Sequence, residues 1–299
     1  MKVAVLYGGI SPERDVSLRS GKCIYDAAVQ AGYDTELIDV VALESNLVDT
    51  LKEYDIVLPI LHGVGGEDGQ IQTILENAGV AYLGSDSAVS QKCFFKDLSR
   101  KELAEAGIRI PEGGLVTYEE YQHSMLSFVP HVVKPNDGGS SIDTLLVKKP
   151  GDSKAVKDLF EKHGRMIVEE LVGGIELTVP VIDGLDLLPI EIIPPSGGEF
   201  DYENKYNGKT QELCPPKNIN ATKQAEAIGL AKKVHACMGC RHISRTDMIL
   251  TPEGELVVLE INTIPGLTDQ SLVPKAAAQA GISMKDLVAH FIKIASVVK

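Results

Sequence analysis

Oxygen-bearing side chains lie at the end of a predicted strand near the C-terminus. In the stretch VVLEIN, Glu260 and Asn262 stand two residues apart. Side chains at positions i and i+2 of a strand point to the same face, so a carboxylate and an amide oxygen would lie side by side. Such donors suit Mg²⁺. In the alternative interpretation, Asn262 caps a turn and Glu260 is a solvated edge residue.

A second pair with the same spacing precedes this strand. Arg245 and Asp247 lie in the predicted strand SRTDMIL, and the turn TPEGE separates it from LVVLEIN. If the two strands pair as a hairpin, Asp247 can converge with Glu260 and Asn262. Three oxygen ligands would then surround one site.

A turn rich in glycine and serine lies within the stretch HVVKPNDGGSSIDTLLVKK. The pattern predicts a hairpin whose turn offers backbone N–H groups and two hydroxyls to a phosphate. A plain hairpin tip is the alternative. Lys134 lies in the strand HVVKP, and a lysine buried there needs an anion.

Two further segments carry ligand-binding potential. After the apolar run RMIV, the acidic residues Glu169, Glu170 and Glu176 flank Leu171 and Val172, a combination that could contact an adenine and a ribose. The polar segment 194–216 is bounded by glycine and proline. Loops of this length inside a compact domain are typical of lids or of disordered segments.

The elements that must position these residues begin with an alternation of strands and helices over the first 85 or so residues. Such alternation predicts a parallel sheet that binds ligands beyond the carboxyl ends of its strands. Two glycine-rich loops, residues 7–17 and 62–69, fall at those ends. Their Glu13, His62 and Glu67 are predicted to be exposed and to bind a small zwitterion, with helix capping as the alternative. Neither loop has the G-x-G-x-x-G pattern of dinucleotide sites.

Length and charge bound the class of protein. A chain of 299 residues with 44% hydrophobic residues can form two or three domains. Its net charge of −13 argues against nucleic acid or an anionic membrane as a partner. The N-terminal MKVAVLYGG enters a strand directly, and no apolar run approaches a membrane span, so we expect a cytoplasmic protein.

The five cysteines are scattered and do not indicate a disulfide framework. Cys237 and Cys240 have the spacing of zinc or redox motifs, and His235 and His242 flank them. No second cysteine pair follows, and the preceding residues have helical periodicity up to Gly239. The pattern therefore favours a helix end and its exit turn over a metal site.

Several separated motifs are spread along almost the whole chain: YGGISPERDVSLRSG, LHGVGGEDGQIQ, VVKPNDGGSS, DYENKY, RTDMIL and LEINTIPGLTDQSLVPKAAAQAGIS. Together they resemble the D-alanine-D-alanine ligase family of the ATP-grasp superfamily. The resemblance implies an α/β protein with an N-terminal Rossmann-like parallel-sheet domain over residues 1–88. An ATP-grasp fold of two α+β subdomains would follow, over residues 89–178 and 179–299, with a lid at 194–216.

The resemblance also implies an activity and its residues. Two D-alanines would be joined through D-alanyl phosphate, with ATP as co-substrate, two Mg²⁺ ions (or Mn²⁺) and a homodimeric enzyme. The implied ATP contacts are Lys96, Lys134, Glu169, Leu171, Val172, Glu176 and Lys205. The implied metal ligands are Asp247, Glu260 and Asn262.

The remaining carried-over roles concern the amino acids and the lid. Arg245 and the backbone N–H of Gly266 resemble the oxyanion site. Glu13, Val16 and His62 resemble the contacts of the first D-alanine, and Ser271 and Leu272 those of the second. Glu13, Ser140 and Tyr206 resemble the hydrogen-bonded triad that holds the lid closed.

Two departures from the family pattern affect the ATP site. Asp143 stands where the family has a glycine in its phosphate loop, so its carboxylate either repels the γ-phosphate or points outward. The stretch SAVSQKCFFKD also leaves open whether Lys96 or Lys92 contacts the nucleotide.

Overall fold

The computed structural model describes residues 1–44, 46–149, 151, 154–195 and 210–297. Within this part of the chain the strands form three sheets, one parallel and two antiparallel. None of the described helices is both long and apolar enough to span a bilayer.

The N-terminal sheet is parallel, as the alternating pattern predicts. Its strand order is β2-β1-β3-β4. The strands are β1 (Lys2–Gly8), β2 (Asp34–Val40), β3 (Ile56–Pro59) and β4 (Ala81–Tyr82), and the helices are α1 (Arg14–Gln30), α2 (Asn46–Leu51) and α3 (Gln70–Ala78). The two glycine-rich loops therefore follow the carboxyl ends of β1 and β3, which are neighbours in the sheet.

The central sheet is antiparallel, with the order β5-β8-β6-β7. Its strands are β5 (Gly113–Thr117), β6 (His131–Pro135), β7 (Leu145–Val147) and β8 (Arg165–Glu170). The helices around it are α4 (Ser87–Phe94), α5 (Lys96–Glu105), α6 (Tyr118–His123), the short 3-10 helix Met125–Phe128 and α7 (Lys154–His163). The predicted hairpin of the glycine- and serine-rich stretch is confirmed, because β6 pairs with β7.

The C-terminal sheet is also antiparallel, with the order β11-β10-β9-β12-β13. Its strands are β9 (Ile175–Ile182), β10 (Ile190–Ile193), β11 (Gln211–Leu213), β12 (Ile243–Leu250) and β13 (Leu256–Asn262). The helices are α8 (Ala221–Met238), α9 (Leu272–Gln279) and α10 (Met284–Ala295). Part of the segment predicted as a lid is thus a strand, since β11 falls within residues 194–216.

The hairpin of β12 and β13 is the element that the metal prediction requires. Its register places Arg245 opposite Asn262 and Asp247 opposite Glu260. An irregularity follows Asp247, and a bulge of this kind changes the aim of neighbouring side chains.

The N-terminal sheet shares its core with the C-terminal helices. One buried cluster joins Val3, Val5 and Ile24 with Phe291 and Ile292 of α10. All five side chains are fully buried. The apolar face of the first sheet is therefore covered by residues nearly 300 positions away in sequence, and the domain boundary at residue 88 remains a prediction.

Candidate active site

A cavity of about 450 Å³ lies where the central and C-terminal sheets face each other. Both sheets contribute to its lining, as does the glycine-rich turn after β6. Eight of the residues predicted to bind ATP or metal line it: Lys96, Lys134, Glu169, Leu171, Val172, Glu176, Asp247 and Glu260. The volume falls in the range of ligand sites for small molecules.

A buried ion-pair network holds one wall of this cavity. The carboxylate of Glu169 is paired with Lys134 and with Arg100, and all three residues are more than 90% buried. Arg100 also donates to the carbonyls of Pro111 (2.7 Å) and Gly113 (3.1 Å). The anion that Lys134 needs inside the protein is therefore Glu169.

Lys96, and not Lys92, faces the cavity. The ammonium of Lys96 donates to the carbonyl of Gly138 at 2.7 Å, in the turn after β6. Lys92 instead lies 3.6 Å from the Glu102 carboxylate and is absent from the cavity lining. Burial lowers the pKa of Lys96, and the nearby Lys134 acts in the same direction. Two ammonium groups thus share one wall of the site.

The turn after β6 has an unusual backbone. Ser140, Ser141 and Asp143 adopt left-handed φ values of 54°, 57° and 57°. Non-glycine residues rarely adopt this conformation, and it is common at ligand-binding loops. Ser141 lines the cavity.

Asp143 points away from the cavity. Its carboxylate lies 2.6 Å from the Lys162 ammonium and 2.8 Å from Nε2 of His163, at the end of α7. These contacts lower the pKa of Asp143, chiefly through the hydrogen bond from Lys162. Of the two alternatives in the sequence, the outward orientation is the one observed.

The three predicted metal ligands converge, as the hairpin register requires. Glu260 lines the large cavity together with Asp247, and it lines an adjoining small cavity together with Asn262. The Asn262 amide donates to Oδ2 of Asp247 at 3.3 Å. Thr178 on β9 donates to Oδ1 of the same carboxylate.

Arg245 forms a forked interaction with Asp247. Its Nε donates to Oδ1 at 2.9 Å and its Nη2 to Oδ2 at 2.7 Å. Burial acts to lower the pKa of Arg245, but the carboxylates of Asp247, Glu260 and Glu67 outweigh it, so the pKa is raised. With Thr178 and Asn262 also donating, each Asp247 oxygen accepts two hydrogen bonds from described residues, the usual capacity of a carboxylate oxygen.

Glu13 and His62 are buried, so the prediction that they are exposed is wrong. Their exposed fractions are 9% and 5%. Glu13 occupies the N-cap position of α1 but makes no capping bond with its side chain. Its carboxylate accepts a hydrogen bond from Ser140, 127 residues away, and this contact joins the first loop to the turn after β6.

His62 lies behind this contact as a neutral ring. Burial lowers its pKa to about 4, and the charge of Arg245 acts in the same direction. Its Nε2 is 3.4 Å from the hydroxyl of Ser20 on α1. Ser20 also accepts from the backbone N–H of Leu267 at 3.4 Å, which connects His62 to the loop after β13.

Glu67 is half-buried and lines the small cavity beside Lys96, Glu260 and Asn262. It accepts a hydrogen bond from the backbone N–H of Gly63 at 2.7 Å. Burial raises its pKa, and the carboxylate of Glu13 raises it further. The predicted exposure of this residue is thus only partly correct.

The loop after β13 leads into α9. Ser271 is the N-cap residue of α9, and its hydroxyl accepts from the backbone N–H of Thr268 at 3.0 Å. A Cβ atom at Gly266 would lie 2.9 Å from the Ser271 hydroxyl, so a side chain there would displace that hydroxyl. Leu272 packs against the large core cluster, and Val16 is buried on α1.

Two predicted residues cannot be placed. Lys205 and Tyr206 lie outside the described residues. The same is true of all residues from 196 to 209 in the predicted lid.

The zinc interpretation of Cys237 and Cys240 receives no support. Helix α8 ends at Met238, and Gly239 follows it in the left-handed conformation, as the favoured alternative predicts. Among the described residues, no group of three or more His, Cys, Asp or Glu side chains is arranged to hold a metal ion.

Sequence reasoning missed several residues that position the site. Arg100, Thr178 and Ser20 each contact a predicted site residue through a hydrogen bond. Arg100 belongs to an ordinary amphipathic helix and Thr178 to an apolar strand. The sequence offered one signal for Arg100: it lies on the same face of its helix as Ser99 and Leu103, which are buried.

Comparison with known families gives two matches. The family model "D-ala D-ala ligase C-terminus" matches residues 114–293, and "D-ala D-ala ligase N-terminus" matches residues 41–85. A curated D-alanine-D-alanine ligase of Oleidesulfovibrio alaskensis is 36% identical over 300 residues, covering 98% of this chain and 96% of the relative.

Solved structures agree with this result. The D-alanine-D-alanine ligase of Bacillus anthracis has a TM-score of 0.86 and 31% identity, covering 99% of this chain and 97% of the other. The same enzyme complexed with ATP has a TM-score of 0.83 and 28% identity, at the same coverage of both chains. The VanG D-Ala:D-Ser ligase of Enterococcus faecalis has a TM-score of 0.82 and 28% identity, covering 98% of this chain and 99% of the other.

Proposed function

The chain belongs to the D-alanine-D-alanine ligase family, and we propose from this premise that its cavity binds ATP and its N-terminal loops bind D-alanine. Its fold is that of the ATP-grasp ligases, preceded by the parallel-sheet domain. It is an ATP-dependent carboxylate-amine ligase that joins two D-alanines for peptidoglycan synthesis. The assignment of residues to steps is our proposal.

The observation that carries the assignment is the composition of the large cavity. Lys96 and Lys134 lie on one wall, and Asp247 and Glu260 on the other. ATP presents a polyanion that lysines neutralise, together with metal ions that carboxylates bind. The same cavity has apolar lining from Leu171, Val172 and Ile249, which suits the adenine ring.

The metal ligands fit Mg²⁺ by donor type. Two carboxylates and one amide oxygen are hard oxygen ligands, and Glu260 faces both cavities. Because the Asp247 oxygens already accept two hydrogen bonds each, binding of a cation there requires Asn262 to turn its amide or Arg245 to release part of its fork. When bound, Mg²⁺ supplies charge neutralisation at the transferring phosphoryl group.

The N-terminal loops are placed to hold the first D-alanine. The Glu13 carboxylate can pair with the ammonium group of this D-alanine while it keeps the hydrogen bond from Ser140. Neutral His62 adds no positive charge that would repel the ammonium. The substrate carboxylate can then reach the γ-phosphate of ATP, and its oxygen attacks phosphorus to give D-alanyl phosphate and ADP.

Phosphorylation is needed because a free carboxylate has no adequate leaving group. The amine of the second D-alanine attacks the acyl carbon, and the tetrahedral oxyanion would be stabilised by Arg245 and the Gly266 N–H. A well-aimed donor of this kind contributes roughly 3 kcal/mol. Collapse of the intermediate expels phosphate and leaves the dipeptide. Arg245 must then give up part of its contact with Asp247. The same side chain would thus both hold Asp247 and stabilise the oxyanion.

A related ligase that joins D-alanine to a different second substrate is the main rival. VanG is named as a D-Ala:D-Ser ligase and shares this fold. The rival would use the same phosphate and metal residues, so these do not discriminate. The identity of the second substrate distinguishes a D-alanine-D-alanine ligase from this rival.

Phosphate release with matched second substrates tests the proposal. The purified enzyme is given ATP, Mg²⁺ and D-alanine, alone or with equal D-serine or D-lactate, and the L-amino acids serve as controls. We expect D-alanyl-D-alanine as the dominant product by mass spectrometry. We also expect Tyr206→Phe to lower activity without creating ester synthesis. A predominance of D-alanyl-D-serine or the depsipeptide would contradict the specificity.

We further propose that the protein is cytoplasmic, as its N-terminal sequence suggests, and that it forms a homodimer, as the family resemblance implies. The chain mass is 32.2 kDa. Light scattering on the eluted protein should give twice that mass, whereas the monomer mass would contradict the dimer.

A further inference from the structure

Two thiols from distant parts of the chain meet behind the small cavity. Sγ of Cys93, in the last turn of α4, lies 3.8 Å from Sγ of Cys240, in the turn after α8. The two residues are 147 positions apart. Neither has a role in the ligase chemistry described above.

Hydrogen bonds that do not involve the thiols hold the turn after α8 against residues 84–85, which lead into α4. Nε of Arg241 donates to the carbonyl of Gly84 at 2.6 Å, and the backbone N–H of Arg241 donates to the Ser85 hydroxyl at 3.3 Å. The backbone N–H of Gly84 donates to Nδ1 of His242 at 3.1 Å. The packing of these two segments therefore places the thiols close together.

Cys240 is the more reactive of the two. It is half-buried, while Cys93 is only 5% exposed. The contact with the Cys93 thiol lowers the pKa of Cys240, and Ser85 and Lys92 act in the same direction. The same contact and burial raise the pKa of Cys93. A partly exposed thiol with a lowered pKa thus lies beside a buried thiol, an arrangement typical of redox-sensitive pairs.

We propose that Cys93 and Cys240 are an oxidative modification site, at which hydrogen peroxide converts the thiol pair to a disulfide that weakens ATP binding. The Cys240 thiolate attacks one peroxide oxygen, the O–O bond breaks, and sulfenic acid and hydroxide form. The Cys93 sulfur then attacks Sγ of Cys240 as its proton passes to hydroxide. The S–O bond breaks, and the oxygen leaves as water after protonation. Overall, two thiols and one peroxide give one disulfide and two waters.

The predicted effect on ATP rests on the proposed function. A disulfide brings the two sulfurs from 3.8 Å to about 2.05 Å, and this contraction pulls the end of α4 and the turn after α8 toward each other. Cys93 is three residues before Lys96, whose ammonium contacts Gly138 in the ATP cavity. Cys93 itself lines the small cavity beside Glu260 and Asn262. Displacement of this junction shifts Lys96 relative to the turn after β6.

Peptide mapping tests the site without reference to activity. The reduced full-length chain is treated with hydrogen peroxide, and its thiols are counted after denaturation. We expect the five thiols to fall by two, with one crosslinked peptide pair containing Cys93 and Cys240. Cys240→Ser should abolish the crosslink, while the matched control Cys214→Ser, remote in the fold, should keep it. A link between Cys237 and Cys240, or no loss of thiols, would overturn the proposal.

Kinetics test the consequence. We expect the oxidised wild type to show a KM for ATP raised by roughly tenfold or more, with recovery after treatment with dithiothreitol. Cys240→Ser should remain insensitive to peroxide. If the disulfide forms and the KM for ATP is unchanged, the coupling to ATP binding is refuted. If the enzyme ligates no D-alanine even when reduced, the proposed function fails, while the crosslink still reports on the thiol site.

Discussion

Substitution of Arg100 by methionine should destabilise the fold far more than loss of an ordinary arginine. Arg100 is 7% exposed and its partner Glu169 is 2% exposed. Methionine keeps much of the apolar stem but removes the charge. Within the described part of the chain, Glu169 would retain Lys134 as its one ion-pair partner, and the carbonyls of Pro111 and Gly113 would lose a donor.

The magnitude follows from these contacts. Removal of one partner from a buried ion pair costs about 3–5 kcal/mol, and each buried carbonyl left without a donor costs about 1–3 kcal/mol unless water replaces it. Because Lys134 still offsets part of the Glu169 charge, we expect the total to lie near the lower bound of this sum, about 5 kcal/mol. An exposed arginine contributes about 1 kcal/mol or less.

The assay is urea unfolding followed by circular dichroism, because the chain contains no tryptophan. The matched control is Arg165→Met. Arg165 is an exposed arginine on β8, the strand that also carries Glu169, and it donates to the carbonyl of Leu115. A double-mutant cycle with Glu169→Gln measures the coupling, which should exceed about 1 kcal/mol. If Arg100→Met and Arg165→Met have equal costs within about 0.5 kcal/mol, the reasoning is refuted.

Three further outcomes follow from the site. Asn262→Leu should lower ADP formation by at least about 100-fold while circular dichroism remains native, and near-native turnover at limiting Mg²⁺ would contradict a ligand role. Asp143→Gly should leave the KM for ATP within about twofold, since the carboxylate contacts Lys162 outside the cavity; a several-fold fall in KM would place it near the phosphates. Burial lowers the pKa of His62 from 6.5 to about 4, so its stabilising contribution is complete above pH 6.5 and is lost as the pH falls to 4, by roughly 3 kcal/mol. Urea unfolding across this range should show a flatter profile for His62→Gln, and an identical slope would contradict burial of the neutral ring.

Short-range patterns in the sequence determine the strand-based half of the site. The i and i+2 spacing of Arg245 with Asp247 and of Glu260 with Asn262, around a single turn, leads to a hairpin in which Asp247 opposes Glu260. Alternating strands and helices likewise lead to the parallel N-terminal sheet. These features depend on hydrogen bonding and side-chain alternation over a few residues, which the sequence displays directly.

Contacts between distant segments are decided by the tertiary structure. The Glu13 hydrogen bond with Ser140 spans 127 residues, and the Arg100 ion pair with Glu169 spans 69. The outward direction of Asp143 depends on the end of α7, which supplies Lys162 and His163. In the same way, Glu13 and His62 look like exposed loop residues in the sequence, but packing of the turn after β6 and of α1 buries them. Burial and pairing of this kind arise only when separate elements pack together, because the sequence around each residue does not specify what covers it.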